Sequence, residues 1–194
     1  MSRLEILAAQ PRMAAGALVT LLLAASAVVG SGADFTASSA NPENTFATGT
    51  LSMVNSKSGS AVLSASGLKP GGPAATGTVD IENTGSLSGA FTLGRDTVTD
   101  SDTANPLSAK LDVAVVDCGT FAGSTPPACG DGDDVNKYTG TLADMGAPGH
   151  AIAALGTFAG GAKHRYQFSV SLESGAGDAY QGDSSSVQFD WSAT

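Results

Sequence analysis

The chain is short of positive charge, of aromatic rings and of imidazole. Only 9 Lys and Arg stand against 18 Asp and Glu, a formal net charge of -9. A nucleic-acid partner needs a basic face, and this composition argues against one. Aromatic residues make up 6% of the chain while glycines number 25, which describes short strands and many turns rather than a helix bundle. The 2 histidines are His150, in Ala147-Pro148-Gly149-His150, and His164, in Lys163-His164-Arg165. A zinc protease needs at least two imidazoles held together and a general base, commonly H-E-x-x-H on one helical face. Neither histidine has a second one three to five residues on, so both read as surface residues. Serines crowd the turns too densely for any Ser-His-Asp grouping to be argued. The glycines around Gly71 and Gly160 precede strands rather than helices, which removes a phosphate-binding loop. No catalytic or cofactor-binding residue is assigned, and the chain reads as a non-enzyme.

Long apolar runs are also scarce. The one present, Met13–Val29, follows Arg3 and Arg12 and is followed by Gly30-Ser31-Gly32-Ala33. A positive start, an apolar middle and a small-residue end are the parts of a secretory signal, assigned here to residues 1–33 with cleavage between Ala33 and Asp34. The run is near the short end for a membrane span, which leaves an uncleaved N-terminal anchor as the rival reading. Export makes the 2 cysteines, Cys118 and Cys129, a disulfide pair. Closing a loop of about a dozen residues contributes roughly 3 kcal/mol. A two-cysteine metal site lacks partners at a sensible spacing, because both histidines lie far along the chain.

The remainder carries β-type patterning. Asp34–Asn44 is polar apart from Phe35 and reads as an extended leader, ahead of a domain over residues 45–194. Phe46–Val54 and Ser60–Ser66 read as strands about a polar turn. Pro70-Gly71 suits a type II turn, with proline presetting φ and glycine accepting φ > 0. Thr76–Asn83 alternates, with Val79 and Ile81 on one side and Thr78, Asp80 and Glu82 on the other. The same period of two marks Ala90–Leu93, the run Leu111, Val113 and Val115, the run Tyr166, Phe168, Val170 and Leu172, and the run Val187, Phe189 and Trp191. Tyr138–Leu142 is a short strand, Ala151–Leu155 is equally a strand or a helical turn, and Asp96–Pro106 and Gly119–Asp134 are loops. About eight strands with no amphipathic helix predict an all-β protein, an antiparallel β-sandwich.

Asn44-Thr45-Phe46-Ala47-Thr48-Gly49-Thr50-Leu51, then Leu68-Lys69-Pro70-Gly71, then Glu82-Asn83-Thr84-Gly85-Ser86-Leu87, in that order after a signal, resemble the TasA/camelysin family of exported Gram-positive proteins. Tyr180-Gln181-Gly182-Asp183 and the closing run Val187–Thr194 are similar to the end of that family's sandwich. The middle, about Asp96 to Gly161, matches poorly. The resemblance implies a jelly-roll topology, processing by a dedicated signal peptidase, and polymerisation into extracellular matrix or cell-surface fibres. In that mode the mature N-terminal segment enters the next subunit's sheet. Carried over, the assembly residues are Asp34, Phe35, Thr36, Ala37, Ser38 and Ser39, with Phe35 as the apolar anchor. The partner is then a second copy of the chain, a homopolymer, with room for a minor matrix or assembly protein. Strand addition along an open edge supplies main-chain hydrogen bonds and side-chain pockets, and a head-to-tail contact that does not close on itself makes a filament.

Two acidic loops supply the alternatives. Asp131, Asp133 and Asp134, in Asp131-Gly132-Asp133-Asp134-Val135-Asn136, have the oxygen density of a weak Ca²⁺ site. The glycine and the bidentate glutamate of an EF-hand loop are absent, Asn136 and Leu142 standing in their places. Asp100-Ser101-Asp102 with Asn105 fails in the same way. A monomeric adhesin-like module using these loops is the second reading, and a camelysin-like metallo-endopeptidase the third. Tyr166, Phe168, Phe189 and Trp191 alternate too strictly for a sugar-stacking platform and read as core.

Overall fold

The computed structural model describes residues 48–146 and 151–194. The proposed signal, its cleavage site at Ala33 and Asp34, the leader with the assembly residues, and His150 lie outside these residues. Ten strands follow in order: β1 (Met53–Asn55), β2 (Ala75–Asn83), β3 (Gly89–Arg95), β4 (Thr99–Asp100), β5 (Leu111–Phe121), β6 (Val135–Thr141), β7 (Ala151–Phe158), β8 (Lys163–Leu172), β9 (Ser185–Ser186) and β10 (Phe189–Ala193). The strand order is β1-β2-β8-β5-β6 in a five-stranded sheet and β10-β3-β7 in a three-stranded one, and β4 pairs with β9. Every ladder is antiparallel.

Alternation explains how the two larger sheets face each other. Val79 and Ile81 of β2, Val113 and Val115 of β5, and Tyr166 and Phe168 of β8 point the same way and are buried. They meet Phe91 and Leu93 of β3 and Leu155 and Phe158 of β7 in one core. Rings join the layers: Tyr166 and Trp191 have centroids 5.5 Å apart, Phe168 and Phe189 4.7 Å. The protein is therefore an all-β antiparallel sandwich, built as the alternation requires.

Three strand expectations change. Ser60–Ser66 forms no strand. Its apolar residues Val62 and Leu63 are adjacent rather than alternating, and this stretch lies across β2, with the Val62 carbonyl occupying the space a side chain at position 77 would fill. Gly77 is what permits that crossing. Of the described part of Phe46–Val54, residues 48–54, the ladder takes only the last two, within β1. The acidic loop after Asp96 contains β4 and leads into a 3-10 turn, Leu107–Lys110. Ala151–Leu155, open between two readings, lies in β7. The Pro70-Gly71 turn forms as expected, with Gly71 at φ 65° and the Gly72 amide donating to the Lys69 carbonyl at 2.9 Å.

The end of β2 fastens the sandwich. Asn83 is fully buried, and its amide nitrogen donates to the carbonyls of Leu87 at 2.8 Å and Phe158 at 3.1 Å, with Ala159 at 3.2 Å. Its side-chain oxygen accepts from the Gly85 amide at 3.0 Å. Its main chain pairs with Gly161 and Ala162. One side chain thus holds the β2–β3 turn, the end of β7 and the β7–β8 turn together. Asn83→Ala strands buried carbonyls and an amide, and is expected to destabilise the domain by about 2–4 kcal/mol, since each orphaned buried group costs roughly 1–3 kcal/mol. Urea unfolding checks this through a lower midpoint at unchanged slope. Asn83→Asp, which sets carboxylate oxygens against carbonyl oxygens, should lose at least as much.

Candidate functional site

Cys118 and Cys129 are joined, with Cα atoms 4.9 Å apart. Among the described residues no helix is long and apolar enough to cross a membrane. A formed disulfide is compatible with an oxidising, extracellular setting. Reduction opens a loop closed across a sequence separation of 11 and should remove about 3 kcal/mol, read as a lower melting temperature in reductant.

The acidic residues are placed singly. Asp134 accepts from the Gly130 amide at 2.7 Å, and Asp131 from the Asp133 amide at 3.4 Å. These bonds are turn contacts of the backbone to its own side chains. The other Asp134 oxygen is shielded and has no hydrogen-bond partner among the described residues. In the second loop, Asp100 accepts from the Ser108 amide and hydroxyl at 2.8 and 2.6 Å, holding the start of the 3-10 turn. The Asn105 side chain, then the Ala104 amide, hold the Asp102 carboxyl below its usual range. Among the described residues, no three His, Cys, Asp or Glu side chains converge as a metal would require.

The densest chemistry lies elsewhere, inside the sandwich next to the disulfide. Asp117 continues the inward phase of Leu111, Val113 and Val115, and His164 that of Tyr166 and Phe168. Both follow the alternation into the interior, so the reading of His164 as a surface residue is corrected: its side chain is 17% exposed and that of Asp117 7%. His164 Nδ1 lies 3.2 and 3.1 Å from the two Asp117 oxygens, and its ring stacks on Phe158 at 4.1 Å. The Gly119 amide donates to Asp117 at 3.0 Å.

Two bulges aim the remaining groups. Register shifts in the β5–β8 pairing between Asp117 and Gly119, leaving Cys118 as the extra residue, and in the β5–β6 pairing at Lys137. Such an insertion re-aims the side chain it carries. The Lys137 side chain, 15% exposed, places Nζ 3.7 Å from Asp117 Oδ2 and donates to the Leu155 carbonyl of β7 at 3.2 Å. Tyr166 is fully buried, and its hydroxyl, beside the Asp117 carboxyl, makes no well-formed hydrogen bond among the described residues. Burial opposes the Asp117 charge, but the His164 contact, the Gly119 amide and the Lys137 ammonium outweigh it and hold the carboxyl below its usual range. Burial first, and then the Asp117 carboxylate, push the Tyr166 phenol well above its ordinary value. Periodicity carried the signal for Asp117 and His164. None was available for Lys137, which the bulge turns inward.

The sign for Tyr166 is that of a group whose pKa is raised on folding. Its stabilising contribution is complete below the unfolded value near pH 10 and is lost as pH rises beyond it, because only the unfolded chain then ionises. Chemical unfolding of parent and Tyr166→Phe across pH 7 to about 11 checks this: the stability difference should move in favour of the phenylalanine variant above about pH 10.

Neither a protein-family model nor a curated protein matches this chain.

Proposed function

We propose that the protein is a secreted, non-enzymatic structural protein that assembles into extracellular matrix or cell-surface fibres by lending its N-terminal segment, about Asp34–Ser39, to the sandwich of the next copy. The reading rests on the resemblance to the TasA/camelysin family and its implied jelly roll. One observation of the fold gives it a physical basis. Among the described residues β10 is paired with β3 alone and β1 covers only Ile81–Asn83 of β2. At the two ends of β10, the Asp96 amide donates to the Gln188 carbonyl, and Thr194 and Ala90 exchange main-chain bonds. The alternate residues Phe189, Trp191 and Ala193 therefore turn their main-chain donors and acceptors to the outer edge. An incoming strand can bond there, and its alternate side chains can reach the apolar seam.

Purified protein starting at Asp34 tests this. Fibres are expected by electron microscopy, lost on deleting Asp34–Ser39 and strongly reduced by Phe35→Asp, with the sandwich still folded by circular dichroism. A persistent monomer whose melting temperature rises with Ca²⁺ would point instead to a binding module using Asp131, Asp133 and Asp134. Proteolysis abolished by EDTA would point to the metallo-endopeptidase.

A further inference from the structure

We propose that Lys137 and Asp117 condense into an isopeptide bond that joins β6 covalently to β5. Four independent features meet at this pair. The amine and the carboxyl sit on neighbouring strands, 3.7 Å apart and each largely withdrawn from water. A proton carrier is in place, His164 Nδ1, within 3.2 Å of both carboxyl oxygens. The Gly119 amide already points at Oδ1 from 3.0 Å. The Tyr166 hydroxyl, fully buried, sits beside the same carboxyl and makes no well-formed hydrogen bond among the described residues. Nucleophile, electrophile, proton relay and oxyanion donors are thus assembled at one carbon, as acyl transfer requires.

The step needs no outside reagent. A proton passes from the Lys137 ammonium to the Asp117 carboxylate, giving the neutral amine and acid. The Nζ lone pair attacks Cγ, and the negative charge that develops on the former carbonyl oxygen is met by the Gly119 amide and the Tyr166 hydroxyl. His164 takes a proton from the attacking nitrogen and delivers it to the departing hydroxyl. The C–N bond forms, the C–O bond breaks, and one water leaves. Packing holds the two groups together for the lifetime of the fold, so a slow single turnover suffices. The product exchanges two buried opposite charges, which are expensive to keep from water, for one neutral amide.

Mass spectrometry of the secreted protein decides it. After reduction and alkylation, an unmodified chain is cut by trypsin at Lys137, giving Leu111–Lys137 and Tyr138–Lys163. The cross-linked chain resists cleavage there and yields Leu111–Lys163 as one piece, lighter by one water, with fragmentation placing the branch at Asp117. Lys137→Arg keeps the charge pair and should show the full sequence mass. Asp117→Asn should still condense, losing ammonia in place of water. His164→Gln should slow the appearance of the cross-linked species after refolding by about 10²-fold, the usual scale for a general acid-base group. Cleavage at Lys137 in the parent, with no loss of water, overturns the proposal.

Discussion

The fold depends on a carboxamide buried where two sheets and two turns meet. Asn83 ends β2, and the chain must reverse there without leaving main-chain groups unpaired. It can do so because the side chain has both a donor end and an acceptor end. The donor end gathers the Leu87 and Phe158 carbonyls, and the acceptor end holds the Gly85 amide. Gly85 completes the arrangement by offering no side chain to the 50–52 segment that crosses it. Asn83-Thr84-Gly85 is therefore more than a turn signal. It couples the β2–β3 connection to the β7–β8 connection, both of which pass from one sheet to the other, and with them the relative placement of the two sheets.

The interior is otherwise polar in a few chosen places. Arg95 follows Phe91 and Leu93 inward, and its guanidinium is satisfied by the carbonyls of Met145, Gly146 and Asp96. It thereby fastens the turn after β6 to the end of β3. Asp117 and His164 likewise occupy apolar phase on β5 and β8. Burying such groups is tolerable only when each finds partners, and nearly all of them do. The Tyr166 hydroxyl is the least satisfied of this group among the described residues, lying beside Asp117 without a well-formed hydrogen bond. On the outer face β2 and β8 use conventional pairs: Arg165 makes a two-point contact with Asp80, and Lys163 meets Glu82 at 2.8 Å.

Much of this architecture was legible in the residue order. Tyr166, Phe168, Val170 and Leu172 declared β8, Val79 and Ile81 declared β2, and the lone cysteine pair declared its own bond. The reasons for the misses are physical. Ser60–Ser66 has β-type composition but no period of two, and it serves as a strap across Gly77. β4 and β9 are two residues each, too short to carry a period. The polar members of the core were in phase with their apolar neighbours, yet a reading that sorts residues by polarity set His164 outside. The bulges at Lys137 and Cys118 shift register by one residue, and nothing local in the sequence marks a shift whose cause is the partner strand. The acidic loops, conspicuous as composition, serve largely to hold their own turns.

The two flanks of the sandwich are not closed alike. Along the side where β6 meets β7, the disulfide, the Asp117–His164 contact and the reach of Lys137 to Leu155 tie strands and layers together. Along the other, among the described residues, β1 is three residues long and β10 bonds to one neighbour. Thermal opening should follow that inequality, with the domain hinging like a book whose spine is the β6–β7 side. Amide protons of β1 and β10 would then exchange with solvent through small local excursions. Those of β5 and β8, bonded on both sides, would wait for the whole domain to come apart.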